Sequence, residues 1–128
     1  MLFRNNYYFL SNMFPYSLEY KGIKYTCVES AFQAQKDPTR AREFSRLNGF
    51  EAKKLGRRVN LRSDWDKVKL GIMRDILRVK FSSPTLKAKL NSVSEPIVED
   101  NTWGDTYWGK CNGRGLNMLG KLLSELKD

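Results

Sequence analysis

From Trp65 to Phe81 the chain places Trp65, Val68, Ile72, Ile76 and Val79 at spacings of three and four. That recurrence predicts an amphipathic α-helix of about four turns, with Ser63 positioned to cap it. A helix of that length crosses a small domain from side to side, so the rest of the chain has to pack around it. With 128 residues there is enough chain for one hydrophobic core without disulfides or a structural metal, and a single domain over 1–128 is expected.

Around that helix the local signals are shorter. Ser17 to Thr26 alternates apolar and polar residues on either side of Lys21-Gly22, which predicts a β-hairpin. Cys27 to Lys36 follows as a short helix. Pro38 can start another with its body at Thr39 to Leu47, ended by Asn48-Gly49. Phe50 to Val59 reads as a basic helical segment with Lys53, Lys54, Arg57 and Arg58, and Ser83-Pro84 opens a helix to Leu90. Pro96 to Val98 reads as a strand, Glu99 to Gly115 as a loop and Leu116 to Leu126 as a last helix. The fold class expected is α+β, a mainly helical compact domain with one small hairpin.

Composition narrows the chemistry mostly by exclusion. The chain has no histidine, which removes Ser/His/Asp and Cys/His catalysis and the common zinc catalytic sites. Acid or base chemistry must come from carboxylates, lysine, tyrosine or water. Cys27 and Cys111 are too few for a disulfide framework, and free, mostly buried thiols are expected. No apolar run approaches a membrane span and no signal peptide is visible, so a cytoplasmic protein without membrane partners is expected. The net charge of +9 favours a polyanionic partner, either nucleic acid or a phosphate-bearing small molecule.

Three stretches could carry a site. On the short helix, Glu29, Gln33 and Lys36 fall at i, i+4 and i+7, one stripe of one face. By spacing alone such a stripe is the wet side of an amphipathic helix. The preceding FLSNMFPYS changes the balance, because Ser11, Asn12, Phe14 and Tyr16 offer hydrogen bonds and stacking surfaces beside it. The second stretch, Glu99 to Lys121, combines Trp103, Tyr107 and Trp108 with glycines at 104, 109, 113, 115 and 120. Its glycines allow close backbone approach, and amides near Gly113 to Asn117, at the start of the last helix, would suit a phosphate. Within it Gly115 to Lys121 matches the spacing of a nucleotide-binding P-loop, but Leu122 stands where Ser or Thr must hold magnesium, so the match is discarded. The third, the basic residues of Lys53 to Arg58 and Lys67 to Lys80, reads as a solvated helix surface because the helical period scatters the charges.

Read together and in order, FLSNMFPYSLEYKGIKYTCVESAFQAQK, EAKKLGRRVNLRSDWDKVKLGIMRDILRVKF and DTYWGKCNGRGLNMLGKLL resemble the NADAR family, also called YbiA-like proteins. The resemblance runs from Phe9 almost to the end of the chain. It implies a compact, mainly helical α+β domain and an N-glycosidase that cleaves a bond between ribose and a nitrogen, without metal or organic cofactor. Family substrates are ADP-ribosylated guanine in nucleic acid or phosphoribosylated intermediates of riboflavin synthesis. The partner expected is therefore a phosphoribosyl or ADP-ribosyl substrate, with nucleic acid as a second partner class and the chain as a monomer.

Carried over residue by residue, the resemblance implies Glu29, Lys36 and Asp105 as catalytic residues. It places Ser11, Asn12, Phe14, Gln33, Trp65, Lys80, Trp108, Gly109, Gly115 and Asn117 around the substrate. Ser30 stands where histidine is common, Val79 where alanine is usual, and Trp103-Gly104 adds a second WG pair ahead of Trp108-Gly109. The chain begins close to FLSN, so substrate contacts from a longer amino-terminal segment are expected to be missing. A carboxylate would stabilise an oxocarbenium-like ribosyl centre and activate water, with Lys36 protonating the leaving nitrogen. Alternatively, a lysine could attack the ring-opened sugar and form a Schiff base. On either route Glu29→Gln and Asp105→Asn are expected to abolish hydrolysis. The competing reading is a non-catalytic basic module that binds nucleic acid or ADP-ribose.

Overall fold

In the computed structural model, which describes all 128 residues, the apolar recurrence from Trp65 becomes helix α3, Trp65–Lys80. Its buried side is Trp65, Ile72, Met73, Ile76, Leu77 and Lys80. The chain packs as two compact units, Asn12–Lys80 and Met1–Ser11 with Phe81–Asp128.

In the Asn12–Lys80 unit, strands β1 (Leu18–Tyr20) and β2 (Ile23–Tyr25) form the expected antiparallel hairpin, with Leu18 opposite Tyr25 and Tyr20 opposite Ile23. Lys21 and Gly22 both take positive φ, 50° and 82°, the backbone a two-residue hairpin turn requires. Helix α1, Val28–Ala34, is buried on every side, Glu29, Ser30 and Gln33 included. It packs against α2 (Gly49–Gly56), α3, β2 and the 3-10 helix Pro38–Phe44. That 3-10 helix replaces the longer one expected to Leu47.

Asn48-Gly49 opens a helix instead of ending one. The Asn48 side chain accepts from the Glu51 amide at 2.9 Å while the Glu51 carboxylate accepts from the Asn48 amide. This reciprocal cap starts α2, Gly49–Gly56, because it satisfies two amides that the helix itself leaves without acceptors.

In the other unit, the 3-10 helix Asn5–Leu10 buries Phe9 and Leu10. Ser83 caps α4 (Pro84–Asn91) as expected, accepting from the Leu86 amide with Pro84 in the first turn. Helix α5, Met118–Glu125, buries Leu119, Leu122 and Leu123.

The strand expected at Pro96–Val98 is absent. Instead β3 (Asp100–Asn101) pairs in parallel with β4 (Lys110–Cys111), inside the stretch read as loop. The reason lies in Asn117, whose side chain donates to the Ile97 carbonyl and accepts from the Glu99 amide, both at 3.0 Å. One side chain thus occupies the backbone groups a strand partner would have used.

Asn117 is buried and holds a left-handed backbone at φ 53°. Asn117→Ala strips both bonds and puts alanine where asparagine is favoured, so we expect a loss of about 2–4 kcal/mol in urea denaturation. No helix is long and apolar enough to cross a membrane.

Candidate active site

The stripe read from spacing is a buried wall rather than a wet face. Glu29 and Gln33 are 8% and 5% exposed, and Gln33 Nε2 donates to Glu29 Oε1 at 2.9 Å. The Glu29 amide donates to the Asn12 carbonyl at 2.9 Å, which ties Asn12 to the first turn of α1. Glycine marks two close approaches at the ends of α2: a Cβ at Gly56 would meet Gln33 Oε1, and one at Gly49 would meet the Met13 sulfur. These contacts bring α2 directly against the polar stripe of α1.

Asn12 Oδ1 and Gln33 Oε1 are buried and accept no hydrogen bond. Paired groups are the rule in folded interiors, so two such oxygens within one unit stand out. Asn12 Nδ2 has only the Met73 sulfur, at 3.7 Å.

Lys36 lies at the end of this stripe with Nζ 5.9 Å from the Trp65 ring centroid, and Trp65 in turn packs on Phe32 at 5.0 Å. Burial lowers the Lys36 pKa; Glu29 opposes that shift, while Arg57, Lys53 and Lys69 add to it. Lys80 is fully buried, 5.4 Å from the centre of the Phe14 ring. Burial lowers its pKa to about 7, with Cys27 acting in the opposite direction. Two amines and a carboxylate are therefore held within one unit, and both amines are biased towards the neutral, nucleophilic form.

The remaining expected site residues belong to the other unit, where their geometry is that of a folded loop. Ser11 closes the first 3-10 helix, its amide donating to the Tyr8 carbonyl at 2.9 Å. Asp105 Oδ1 accepts from the amides of Tyr107 and Trp108 at 3.0 and 2.9 Å, and the Asn101 side chain clamps the Asp105 backbone in both directions. Trp108 is half-buried and meets Tyr107 edge-on at 4.8 Å.

Gly109 is buried, and a Cβ there would overlap the Glu99 carbonyl; a Cβ at Gly115 would overlap that of Gly109. By contrast Gly104 faces open space and Trp103 is 63% exposed. Trp108-Gly109 is thus the pair packed into the fold, and Trp103-Gly104 the exposed one.

Several of the amides around the start of α5, where a phosphate is expected, are already used. Those of Leu116, Asn117, Met118 and Leu119 donate to the carbonyls of Thr106, Gly109, Tyr107 and Trp108. The loop folds back onto the helix start and takes those four donors. No cluster of three or more Cys, Asp or Glu side chains has the arrangement of metal ligands.

A sequence model of the NADAR domain matches residues 2–128. The chain belongs to the NADAR family. N-glycosidase YbiA of Shigella boydii is 35% identical over 92% of this chain and 78% of its own length, and N-glycosidase YbiA of Escherichia coli is 34% identical over the same shares. A riboflavin biosynthesis protein of Vibrio vulnificus is 30% identical over 96% of this chain but only 35% of its own length. The solved structure of E. coli YbiA superposes with a TM-score of 0.84 at 34% identity, covering 99% of this NADAR chain and 82% of that one. The mainly helical α+β architecture expected from the sequence is the one the two share.

Proposed function

We propose that this chain is an N-glycosidase that hydrolyses the bond between a ribosyl carbon and a nitrogen, at the site formed by Glu29, Gln33 and Lys36. The observation that carries the proposal is the buried Glu29 carboxylate, hydrogen-bonded to Gln33 and close enough to Lys36 to oppose the desolvation of its ammonium. Relatives at 35% and 34% identity bear the name N-glycosidase over most of this chain.

Each group has a task in that reaction. The Glu29 charge stabilises positive charge developing on the ribosyl ring as the C–N bond breaks. The orphaned oxygens of Asn12 and Gln33 are acceptors suited to ribosyl hydroxyls once the side chains turn towards substrate. Lowering the Lys36 pKa raises its free-amine fraction, which favours the covalent route. On that route the amine attacks the anomeric carbon of the ring-opened sugar, the base leaves with its nitrogen protonated, and water then cleaves the imine to free the sugar and the lysine. Phe14 and Trp65 supply the aromatic faces beside the two amines.

Asp105 enters the proposal as organiser of the D-x-x-WG loop, because the bonds of its Oδ1 go to amides of that loop. Asp105→Asn keeps the Oδ1 acceptor and is expected to hold turnover within about tenfold of the parent. A folded but inactive variant would return Asp105 to the catalytic role that the family pattern implies.

The substrate is either ADP-ribosylated guanine in nucleic acid, to which the +9 charge leans, or a phosphoribosylaminopyrimidine. Mass spectrometry of the purified protein with each substrate separately decides the matter. Release of ADP-ribose with restored guanine, or of ribose phosphate, identifies the reaction. Binding without either product would move the chain to the class of non-catalytic modules.

A further inference from the structure

The amides of Leu116 and Asn117 at the start of α5 are occupied, and the cations of the Asn12–Lys80 unit offer a phosphate-bearing substrate another anchor. Lys53 lies on α2 and Arg57 caps its C-terminal end one turn later, at the edge of the face that buries Gly49, Ala52 and Gly56. Gly56 lies against Gln33 without room for a Cβ, so this turn of α2 is pressed onto the stripe that carries Glu29 and Lys36. From the other side, Lys69 stands one turn after Trp65 on α3, and Trp65 is the ring facing Lys36 at 5.9 Å. The Lys69 side chain is only 22% exposed, and the carboxylate it meets, Asp66 at 3.3 Å, is itself 93% exposed.

Lys53, Arg57 and Lys69 each act on Lys36 in the direction of like-charge repulsion. Glu29 is the carboxylate that opposes them there. Same-sign charges one turn apart on a helix weaken it, and phosphoryl oxygens beside them would offset that repulsion. Arg57 contributes a planar fork for two phosphoryl oxygens, and Lys53 and Lys69 contribute point charges.

We propose that Lys53, Arg57 and Lys69 form a cradle beside Lys36 that holds the phosphoryl end of the substrate. The proposal rests on the N-glycosidase reading of the Glu29–Lys36 site and names the groups that orient the substrate there. Residues that read in sequence as a solvated surface thereby become part of the binding site, and the sugar is presented with its anomeric carbon towards Glu29 and Lys36.

The test is titration of the full chain with inorganic pyrophosphate, ribose 5-phosphate and ADP-ribose, by calorimetry and by amide chemical shifts. Saturable binding is expected, with shifts concentrated at the end of α2 and the first turns of α3. Lys53→Ala, Arg57→Ala and Lys69→Ala are each expected to weaken binding by about tenfold, whereas Lys24→Ala and Lys121→Ala leave it unchanged. Tighter binding of ADP-ribose than ribose 5-phosphate identifies a diphosphate as the anion held, and equal binding a monoester.

Equal losses in the control variants, shifts on another surface, or binding of an oligonucleotide but none of the three small anions would overturn the cradle. Glu29→Gln is expected to keep the binding and lose turnover. A parent protein that binds pyrophosphate at these residues but releases no product would leave the cradle standing and remove the N-glycosidase reading.

Discussion

Glu29→Gln is expected to lower turnover by about a thousandfold or more while the protein stays folded. The size follows from where the charge sits. Glu29 is 8% exposed, so water screens its interaction with a developing ribosyl cation far less than it would at the surface. Glutamine has the same shape, keeps an oxygen that can accept from Gln33 Nε2, and leaves the backbone bond to Asn12 intact. Loss of activity then reports the charge and not the packing.

A second consequence separates this outcome from simple damage. Glu29 raises the pKa of Lys36 against burial and three cations, so its neutralisation lowers that pKa further. The amine of the variant should therefore react faster with a lysine-directed acylating reagent at neutral pH, as read by peptide mass mapping. Turnover within tenfold of the parent would exclude Glu29 as the stabilising carboxylate.

The stripe itself was legible because one helical period places Glu29, Gln33 and Lys36 in line. Its burial was not, since amphipathic spacing ordinarily marks the wet side. What inverts that rule is tertiary: Gly49 and Gly56 let α2 approach α1 closely, and glycine in sequence does not say which neighbour it admits. Asn48-Gly49 shows the same limit locally. The pair suits a helix end as well as a turn, and the reciprocal bonds to Glu51 make it a beginning. At Pro96–Val98 an asparagine twenty residues from Ile97 takes the place of a strand partner, a long-range contact that no local pattern encodes. Among the glycines of the last motif, 104 and 113 face open space, and 109, 115 and 120 are the points of close approach. The neighbours they approach are backbone carbonyls of their own unit, and the nearby amides serve the loop.

Lys80→Met is expected to raise stability at neutral pH and to flatten its rise with pH. Lys80 is fully buried, and burial brings its pKa from the ordinary 10.5 down to about 7. Between those two values the unfolded chain holds a proton on this amine that the folded chain has released. Stability conferred by the group therefore increases with pH across that window, by about 1.4 kcal/mol per pH unit. Below about pH 7 both states are protonated and the dependence vanishes, leaving the folded protein with the full penalty of a buried ammonium. The lowered pKa of Lys36 acts in the same direction and persists in the variant.

Methionine matches the length and flexibility of the lysine stem and carries no charge to desolvate, so the packing against Phe14 is retained. Urea denaturation at pH 7.5, 8.5 and 9.5 should show a shallower slope in Lys80→Met than in the parent and a higher midpoint at the lowest pH. Parallel slopes would mean that the amine stays protonated in the folded protein throughout the range. Lys80 would then be a fixed cation beside Phe14 rather than a neutral amine available to the chemistry at Glu29.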